Sequence, residues 1–251
     1  MPKKIISFSG RKQSGKTFIA NLTVNYGYTL LNFADEIKNV VCKVIGIDIS
    51  LLNNIKDIDL QKRNSFLSQF TFTKESILLM ASLIDIPNNF VQEIFPINSK
   101  IISIRDVLQK LGTDLIRKYN PDWHVNKIRL KIQDDKKYVI PDTRFINELN
   151  LIKELDGDYF FIIRPNNKDI SNHISEVSLN WSHFNLDHVI INNKDTNYLK
   201  ENWNYFMKHD ILLFKEYPPN YSYINEAPKE EQKENEDNPF MLENLKRWNS
   251  F

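Results

Sequence analysis

The sequence predicts an α/β fold in which a five-stranded parallel sheet carries helices on both faces. Five short apolar runs, each of strand length, alternate with segments of helical periodicity. Parallel strands need crossover connections of about a dozen residues or more, and the helical segments would supply them. With 251 residues and 41% hydrophobic content, the chain is large enough for one such domain.

The first strands and helices alternate up to Gly46. In order, we expect a strand over 4–10, a helix over 17–26, a strand over 28–35 and a helix over 36–45. Gly27 and Gly46 follow the two helices, and glycine is common where a helix ends. This segment therefore predicts two successive strand–helix pairs.

A long helical block precedes the remaining strands. Residues 47–135 have helical periodicity and no convincing strand, and a regular set of apolar residues predicts a helix over 103–118. Because the block is too long for one crossover, we interpret it as a helical excursion that forms part of a substrate site. Three further strands are expected over 137–142, 158–164 and 187–192.

The C-terminal residues differ in composition from the rest of the chain. One domain is expected over 1–215, followed by a charged, flexible tail over 216–251. The run 229–238 is dense in charge and lacks apolar residues, which is typical of disorder. Apolar residues within 240–248 would fit one short amphipathic helix.

Charge, cysteine content and hydropathy exclude several classes of protein. The 33 Lys+Arg and 32 Asp+Glu leave a net charge of +1, which gives no global attraction to nucleic acid or an anionic membrane. The single cysteine, Cys42, excludes an internal disulfide and a Cys-based zinc site, and its apolar neighbours predict a buried thiol. No run approaches the roughly 18 apolar residues of a membrane helix, and the N-terminus lacks a signal-peptide core. We therefore expect a soluble, cytoplasmic protein without nucleic-acid or membrane partners, and leave a homodimer open.

Residues 10–17, Gly-Arg-Lys-Gln-Ser-Gly-Lys-Thr, match the phosphate-binding pattern G-x-x-x-x-G-K-[ST] between a predicted strand and a predicted helix. The glycines let the backbone wrap a phosphate without Cβ clashes, so that N–H groups face the anion. Lys16 would reach the β- and γ-phosphates, and the Thr17 hydroxyl would bind Mg²⁺. The alternative is a glycine-rich turn with a surface lysine. The motif alone leaves GTPases, helicases, packaging motors and small-molecule kinases open.

Polar side chains at the strand ends are the next candidates, because ligands of open α/β sheets bind outside the carboxyl ends of the strands. Asp142 would hold a metal directly or through water, or would cap the helix that begins near Phe145. Arg144 would pair with Asp142 or with a phosphate. Arg164 would clamp an ATP phosphate, or pair with an acid at the sheet edge. Asp35 is a weaker candidate for the site, because an Asp at the start of a helix often serves only as the helix cap.

The predicted helix 103–118 carries a second polar group. Arg105 and Gln109 are four residues apart and share a face beside the apolar residues, as on a helix that faces a substrate. A solvated helix face is the alternative. Gly112, one of only six glycines, lies inside the same pattern, where glycine costs about 1 kcal/mol relative to alanine. We interpret it as a position where the backbone approaches a nucleotide.

Taken together, these motifs resemble the deoxynucleoside monophosphate kinases of the T-even phage type, a branch of the P-loop NMP kinase superfamily. The matching segments are SGRKQSGKT (9–17), FADEIK (33–38), SIRDVLQKLGTDLI (103–116), VIPDTRFINE (139–148), IIRP (162–165), HISE (173–176) and DHVIINN (187–193). The resemblance implies transfer of the γ-phosphoryl group of ATP, with Mg²⁺, to a deoxynucleoside 5′-monophosphate (dNMP), giving a dNDP. It also implies a viral protein that acts in the cytoplasm of a host cell.

The resemblance assigns three sets of residues. It implies ATP binding by Gly10, Gln13, Ser14, Gly15, Lys16, Thr17, Phe18, Arg164 and His173, with the metal at Thr17 and Asp142. It implies dNMP binding by Ile37, Lys38, Lys62, Arg63, Arg105, Gln109, Gly112, Thr113, Trp123 and Glu148, with Trp123 as a stacking surface. It implies catalytic roles for Lys12, Lys16, Arg105, Asp142 and Arg144, in which Lys12 reaches between the donor and acceptor phosphates.

This chain departs from the family at one loop position. Many relatives have Lys-Asp-Thr after the second loop glycine, whereas this chain has Lys16, Thr17 and Phe18, so any role of that aspartate does not carry over. Three other functions stay open: a kinase of the dephospho-coenzyme A or phosphomevalonate type, a non-catalytic nucleotide-binding module, and an ATP-driven nucleic-acid protein. The net charge of +1 and the lack of interleaved basic and aromatic residues disfavour the last of these.

Overall fold

The computed structural model describes residues 2–55, 70–165, 178–179, 183–184 and 188–212. Its sheet has five strands, which are β1 (Ile5–Ser9), β2 (Tyr28–Leu30), β3 (Lys137–Ile140), β4 (Asp158–Ile163) and β5 (Val189–Ile191). All neighbouring strands pair in parallel, in the order β2-β3-β1-β4-β5. The predicted α/β fold with a five-stranded parallel sheet is therefore confirmed.

Helical segments connect the strands. The α-helices are α1 (Lys16–Val24), α2 (Asp35–Ile45), α3 (Ile49–Ile55), α4 (Lys74–Ile84), α5 (Asn88–Ile94), α6 (Ile104–Gln109), α7 (Trp123–Arg129), α8 (Ile146–Glu154) and α9 (Thr196–His209). A π-helix, Lys110–Arg117, directly follows α6. Within the described ranges, no helix combines the length and the apolar character that a membrane crossing requires.

The chain divides into two compact units. The sheet unit comprises Met1–Asn32 and Lys131–Phe251, and it contains all five strands with α1, α8 and α9. The helical unit comprises Phe33–Leu130 and contains α2 to α7 and the π-helix. The helical unit thus begins before residue 47, where the sequence-based excursion starts, because α2 packs with α3, α4 and α6.

The core of the sheet unit lies on both faces of β4, because successive side chains of a strand point to opposite faces. Phe160 and Ile162 lie in one apolar cluster with residues of α1 and α9. Phe161 and Ile163 lie in a second cluster with Leu149 of α8. Helices therefore cover both faces, as predicted.

Two consecutive buried hydrogen bonds connect α9 to α1 in the first of these clusters. Trp203 is fully buried, and its indole N–H donates to the Thr23 hydroxyl at 2.9 Å. That hydroxyl in turn donates to the carbonyl oxygen of Ile19 at 2.8 Å. The indole N–H is thus satisfied without water, which removes the cost of burying an unpaired donor.

The helical unit has its own apolar core, formed by residues of α2, α4, α6 and the π-helix. Phe72 and Phe95 lie at its centre, with ring centroids 4.9 Å apart. Among the described residues of this unit, β-type pairing occurs only at one isolated antiparallel bridge, between Thr71 and Lys100. Cys42 is only half-buried at the edge of this core, so the prediction of a buried thiol is only partly correct.

Two predicted elements differ from the structure. β2 ends at Leu30 instead of Asp35. It is an edge strand, and its last two residues are exposed. Its last hydrogen bond to β3 is donated by Leu31, one residue after the end of the strand. The predicted helix 103–118 is α-helical only to Gln109 and continues as a π-helix. Hydrogen bonds five residues apart widen each turn, so Leu115 and Ile116 both lie one turn after Leu111, and all three are buried.

Candidate functional site

The loop between β1 and α1 has the backbone that a phosphate-binding loop requires. Gly10 and Gly15 have φ values of 130° and 110°, which L-amino acids with a side chain rarely adopt. A Cβ atom at Gly10 would collide with the carbonyl oxygen of Ile162, and one at Gly15 would lie 2.8 Å from Nδ2 of Asn192. Both glycines of the motif are therefore required by the conformation and by the space around them.

The side chain of Lys16, the first residue of α1, contacts this loop. Its Nζ donates to the carbonyl oxygens of Gly10 and Arg11, at 2.6 Å each, and lies 3.5 Å from the Ser14 hydroxyl. The ammonium group is therefore held at the loop by the main chain. Charged hydrogen bonds to a phosphate are stronger than those to neutral carbonyls, so a phosphate entering the loop would compete well for this group.

The first turn of α1 adds to the attraction for an anion. Gly15 occupies the N-cap position and supplies no side-chain cap, and the first turn carries no acidic residue. The N–H groups and the dipole of the helix N-terminus therefore favour a bound anion. Thr17 is exposed on this turn, where its hydroxyl is available to a metal ion that accompanies the phosphates.

Two side chains hold the loop from other strands. Asn192, directly after β5, donates from Nδ2 to the Ser14 carbonyl at 2.8 Å. Arg164, directly after β4, donates from Nη1 to the Gln13 carbonyl at 3.2 Å. Arg164 thus contacts the phosphate loop itself, and its binding to ATP stays a prediction.

The segment after β3 is fixed on both sides. Ser7 and Thr143 are buried, and their hydroxyl oxygens lie 2.6 Å apart. The Glu148 carboxylate accepts hydrogen bonds from the backbone N–H groups of Arg144 at 2.7 Å and Phe145 at 3.2 Å. These bonds orient the polar residues at the end of β3.

The alternative role of Asp142 as a helix cap is wrong. The helix after β3, α8, begins at Ile146, and Phe145 occupies its N-cap position. The capping contacts come from Glu148, which is only 2% exposed. The metal role of Asp142 stays a prediction.

In the helical unit, the segments FADEIK and LQKLGTD meet at a histidine that sequence reasoning missed. His124 of α7 is 4% exposed, and its Nδ1 and Nε2 lie 3.3 Å from the carbonyl oxygens of Phe33 and Gly112, respectively. Gly112 also lies against α2, since a Cβ there would be 3.0 Å from Cδ1 of Ile37. Two segments about 70 residues apart in the sequence thus share one buried polar contact.

His124 is neutral at physiological pH. Its pKa is lowered from 6.5 to about 4, mainly by burial and in addition by the positive charge of Arg117, while the two carbonyl contacts act in the opposite direction. A neutral imidazole has one N–H, so it donates to one of the two carbonyls at a time. No local pattern in the sequence signals this role, because a histidine beside a tryptophan on a helix is ordinary.

The predicted acceptor residues of the helical unit differ in exposure. Arg105, Gln109 and Thr113 are all half-buried, at intervals of four residues. Trp123 is 7% exposed and packs into the core, with Nζ of Lys127 5.3 Å from its ring centroid. Lys38 forms an ion pair with Asp35 at 3.3 Å. Arg105, Gln109 and Thr113 are thus more accessible to a ligand than the buried ring of Trp123.

Three predicted site residues, Lys62, Arg63 and His173, lie outside the described residues, as does the predicted tail. In the described part of the chain, no group of three or more His, Cys, Asp or Glu side chains is placed to hold a metal ion. A Mg²⁺ ion bound with a nucleotide does not need such a group, because phosphate oxygens and water supply most of its ligands. The exposed Thr17 hydroxyl and the carboxylate of Asp142 at the end of β3 fit that kind of coordination.

Comparison with known proteins identifies the family of this chain. The model of a family described as deoxynucleotide monophosphate kinase matches residues 49–202, more than half of the chain. A protein of Acanthamoeba polyphaga mimivirus named "Putative deoxynucleotide monophosphate kinase" is 39% identical over 104 residues, covering 36% of this chain and 53% of that relative. The match therefore spans about half the length of the relative. By the extent of the family match, this chain belongs to the deoxynucleotide monophosphate kinase family.

Proposed function

We propose that this protein transfers the γ-phosphoryl group of ATP to the 5′-phosphate of a deoxynucleoside monophosphate, with Mg²⁺. The products are ADP and a dNDP. Membership of the family supports a nucleotide kinase. The observation that carries the donor side is the loop of residues 10–17, with Lys16 bonded inside it at 2.6 Å to two carbonyls.

The sheet unit would bind ATP. The phosphates would lie against the N–H groups of the loop and of the first turn of α1, and Lys16 would exchange its bonds to Gly10 and Arg11 for bonds to phosphate oxygens. Thr17 and Asp142 would hold Mg²⁺. The ion would neutralise charge on the β- and γ-phosphates.

The helical unit would supply contacts to the dNMP. Arg105, Gln109 and Thr113 are half-buried at intervals of four residues, and a guanidinium matches two phosphate oxygens at once. Glu148 is engaged with the backbone at the start of α8, so any contact of its carboxylate with the acceptor is additional to that role. Lys38 and Ile37 lie on α2, within the segment FADEIK.

The chemistry is mainly alignment and charge neutralisation. An oxygen of the dNMP phosphate attacks the γ-phosphorus of ATP, the bond from that phosphorus to the β–γ bridging oxygen breaks, and ADP leaves. Phosphate oxygens are already anionic, so the step needs no strong general base. Cations beside the transferred group, Lys16 and the arginines among them, would stabilise the charge on its oxygens.

The test is phosphorylation of dNMPs by labelled ATP in Lys16→Ala. Removing one charged donor at the transferred group should lower kcat/KM by about a hundredfold or more. Lys200→Ala, which removes an exposed lysine of α9, is the matched control and should retain wild-type activity. Retention of activity in Lys16→Ala at the control level would refute the proposal.

The panel of acceptors decides between the candidate kinases. It contains dTMP, dGMP, dCMP, dAMP, their ribonucleotide forms, dephospho-coenzyme A and phosphomevalonate. We expect phosphorylation of at least one deoxynucleotide and none of the last two compounds. Transfer to dephospho-coenzyme A or phosphomevalonate alone would place the protein in a different group of small-molecule kinases.

A further inference from the structure

Asn192 holds a peptide group of the phosphate loop from a distant point in the chain. Its Nδ2 donates to the Ser14 carbonyl at 2.8 Å, although the two residues are 178 positions apart. Arg164 holds the preceding carbonyl, that of Gln13, at 3.2 Å. Two consecutive carbonyls of the loop are thus bonded by side chains that directly follow β4 and β5.

The orientation of these carbonyls determines where the loop N–H groups point. A trans peptide unit is planar, and its C=O and N–H bonds point in opposite directions. The bond from Asn192 to the Ser14 carbonyl therefore fixes the N–H of Gly15 on the opposite side of the peptide. Gly15 precedes the first residue of α1, where the N–H groups favour an anion.

Asn192 is itself firmly placed. Its backbone N–H donates to the carbonyl of Ile163 at 2.7 Å, which extends the β4–β5 ladder by one bond. Its side chain is half-buried and lies so close to Gly15 that a Cβ there would be 2.8 Å from Nδ2. An asparagine side chain has only two rotatable bonds, so the entropy cost of forming such a bond is small.

We propose that Asn192 is a positioning residue for the phosphate donor. Its side-chain amide holds the Ser14–Gly15 peptide so that the Gly15 N–H is oriented for a phosphate oxygen before ATP binds. Arg164 supports the neighbouring peptide in the same way. This inference rests on the proposed use of ATP. It adds a residue that would affect ATP binding indirectly, by orienting the loop.

The experiment measures the Kd of MgATP and the KM values of ATP and dNMP in Asn192→Ala and Asn192→Leu. Leucine has the same number of side-chain heavy atoms as asparagine, branched at the same carbon, and lacks the donor, so it removes the hydrogen bond without leaving a cavity. We expect both variants to weaken ATP binding about tenfold, the order of one hydrogen bond, while the KM of the dNMP changes less than about twofold.

Asn202→Ala is the matched control. Asn202 Nδ2 also donates to a carbonyl at 2.8 Å, that of Tyr198, but within α9 instead of at the loop. This control should bind ATP with wild-type affinity. It therefore accounts for any general effect of losing one amide–carbonyl bond in the sheet unit.

The outcomes separate the two proposals. If the wild-type chain neither binds ATP nor phosphorylates a dNMP, the proposed function fails and the role of Asn192 fails with it. If the wild type is active but ATP binding in both Asn192 variants matches that of Asn202→Ala, the positioning role alone is overturned. An equal loss of ATP and dNMP affinity would overturn it too, because it would indicate general destabilisation. If the alanine variant does not fold, the leucine variant decides.

Discussion

Some side chains of this protein form contacts that the surrounding sequence does not predict. His124 lies between the carbonyls of Phe33 and Gly112 and donates to one of them, and Asn192 donates to that of Ser14. Periodicity and motif spacing describe what neighbouring residues do, whereas these contacts depend on how distant segments meet. The conformation of the loop between β1 and α1 was predictable, because the motif fixes glycine at two positions that need a positive φ.

The depressed pKa of His124 predicts a pH dependence of stability. The folded state binds its proton only near pH 4, whereas the unfolded chain binds it near 6.5. The unfolded state therefore gains protons first as the pH falls, and stability due to His124 is present above about 6.5 and lost between 6.5 and 4. The full loss is on the order of 3 kcal/mol.

Urea unfolding of the wild type and of His124→Gln, measured from pH 8 to pH 4, checks this prediction. The variant cannot titrate at this position, so its stability should fall less steeply over the acidic half of the range. Titration of the His124 ring by NMR should show protonation only near pH 4. Parallel stability curves, or a ring that protonates near pH 6.5, would contradict the assignment.

At the scale of elements, the sequence predicted the order of strands and helices but not all their ends. Gly46 ends α2 with φ 78°, as its position after the apolar pattern predicts. The π-helix was not predictable, because its apolar residues also satisfy an α-helical pattern. The start of α8 near Phe145 was predicted, but its capping side chain was not, because Glu148 accepts the Phe145 N–H from within the helix.

The role of Glu148 at the start of α8 predicts a specific loss of stability. In Glu148→Ala, the N–H groups of Arg144 and Phe145 lose their acceptor, which should lower the free energy of unfolding by about 1–3 kcal/mol. Glu148→Gln keeps a carbonyl oxygen and should lose less. Thermal unfolding measures both, with Glu201→Ala on the exposed face of α9 as the control. Equal stability of Glu148→Ala and the control would rule out the capping role.

At the scale of the whole molecule, the predicted donor and acceptor residues fall largely in different units. The loop, Asp142 and Arg164 lie in the sheet unit, whereas Arg105 and Gln109 lie in the helical unit. The fold class could be predicted because five apolar runs with long connections allow few arrangements. The bounds of the helical unit could not, since the chain leaves the sheet unit within a continuous stretch that the sequence assigns to β2 and α2.

This division predicts that the binding of ATP and the binding of the dNMP can each be weakened by a separate substitution. Arg105→Ala should raise the KM of the dNMP about tenfold or more, because the proposed charged contact to its phosphate would be lost, and should leave the Kd of ATP unchanged. Lys118→Ala, which removes an exposed cation just after the π-helix, is the control. Unchanged kinetics of Arg105→Ala toward every dNMP would remove Arg105 from the acceptor site.

The two edges of the sheet also bear on how the protein behaves at high concentration. β2 and β5 are the edge strands, and each has only three residues. An exposed edge is a template for pairing with a strand of another molecule, and very short edge strands are one way in which natural proteins prevent it. The long strands β1 and β4 lie inside the sheet, where their hydrogen-bonding groups are already paired. In the described sheet, this strand order thus limits aggregation through edge-to-edge pairing.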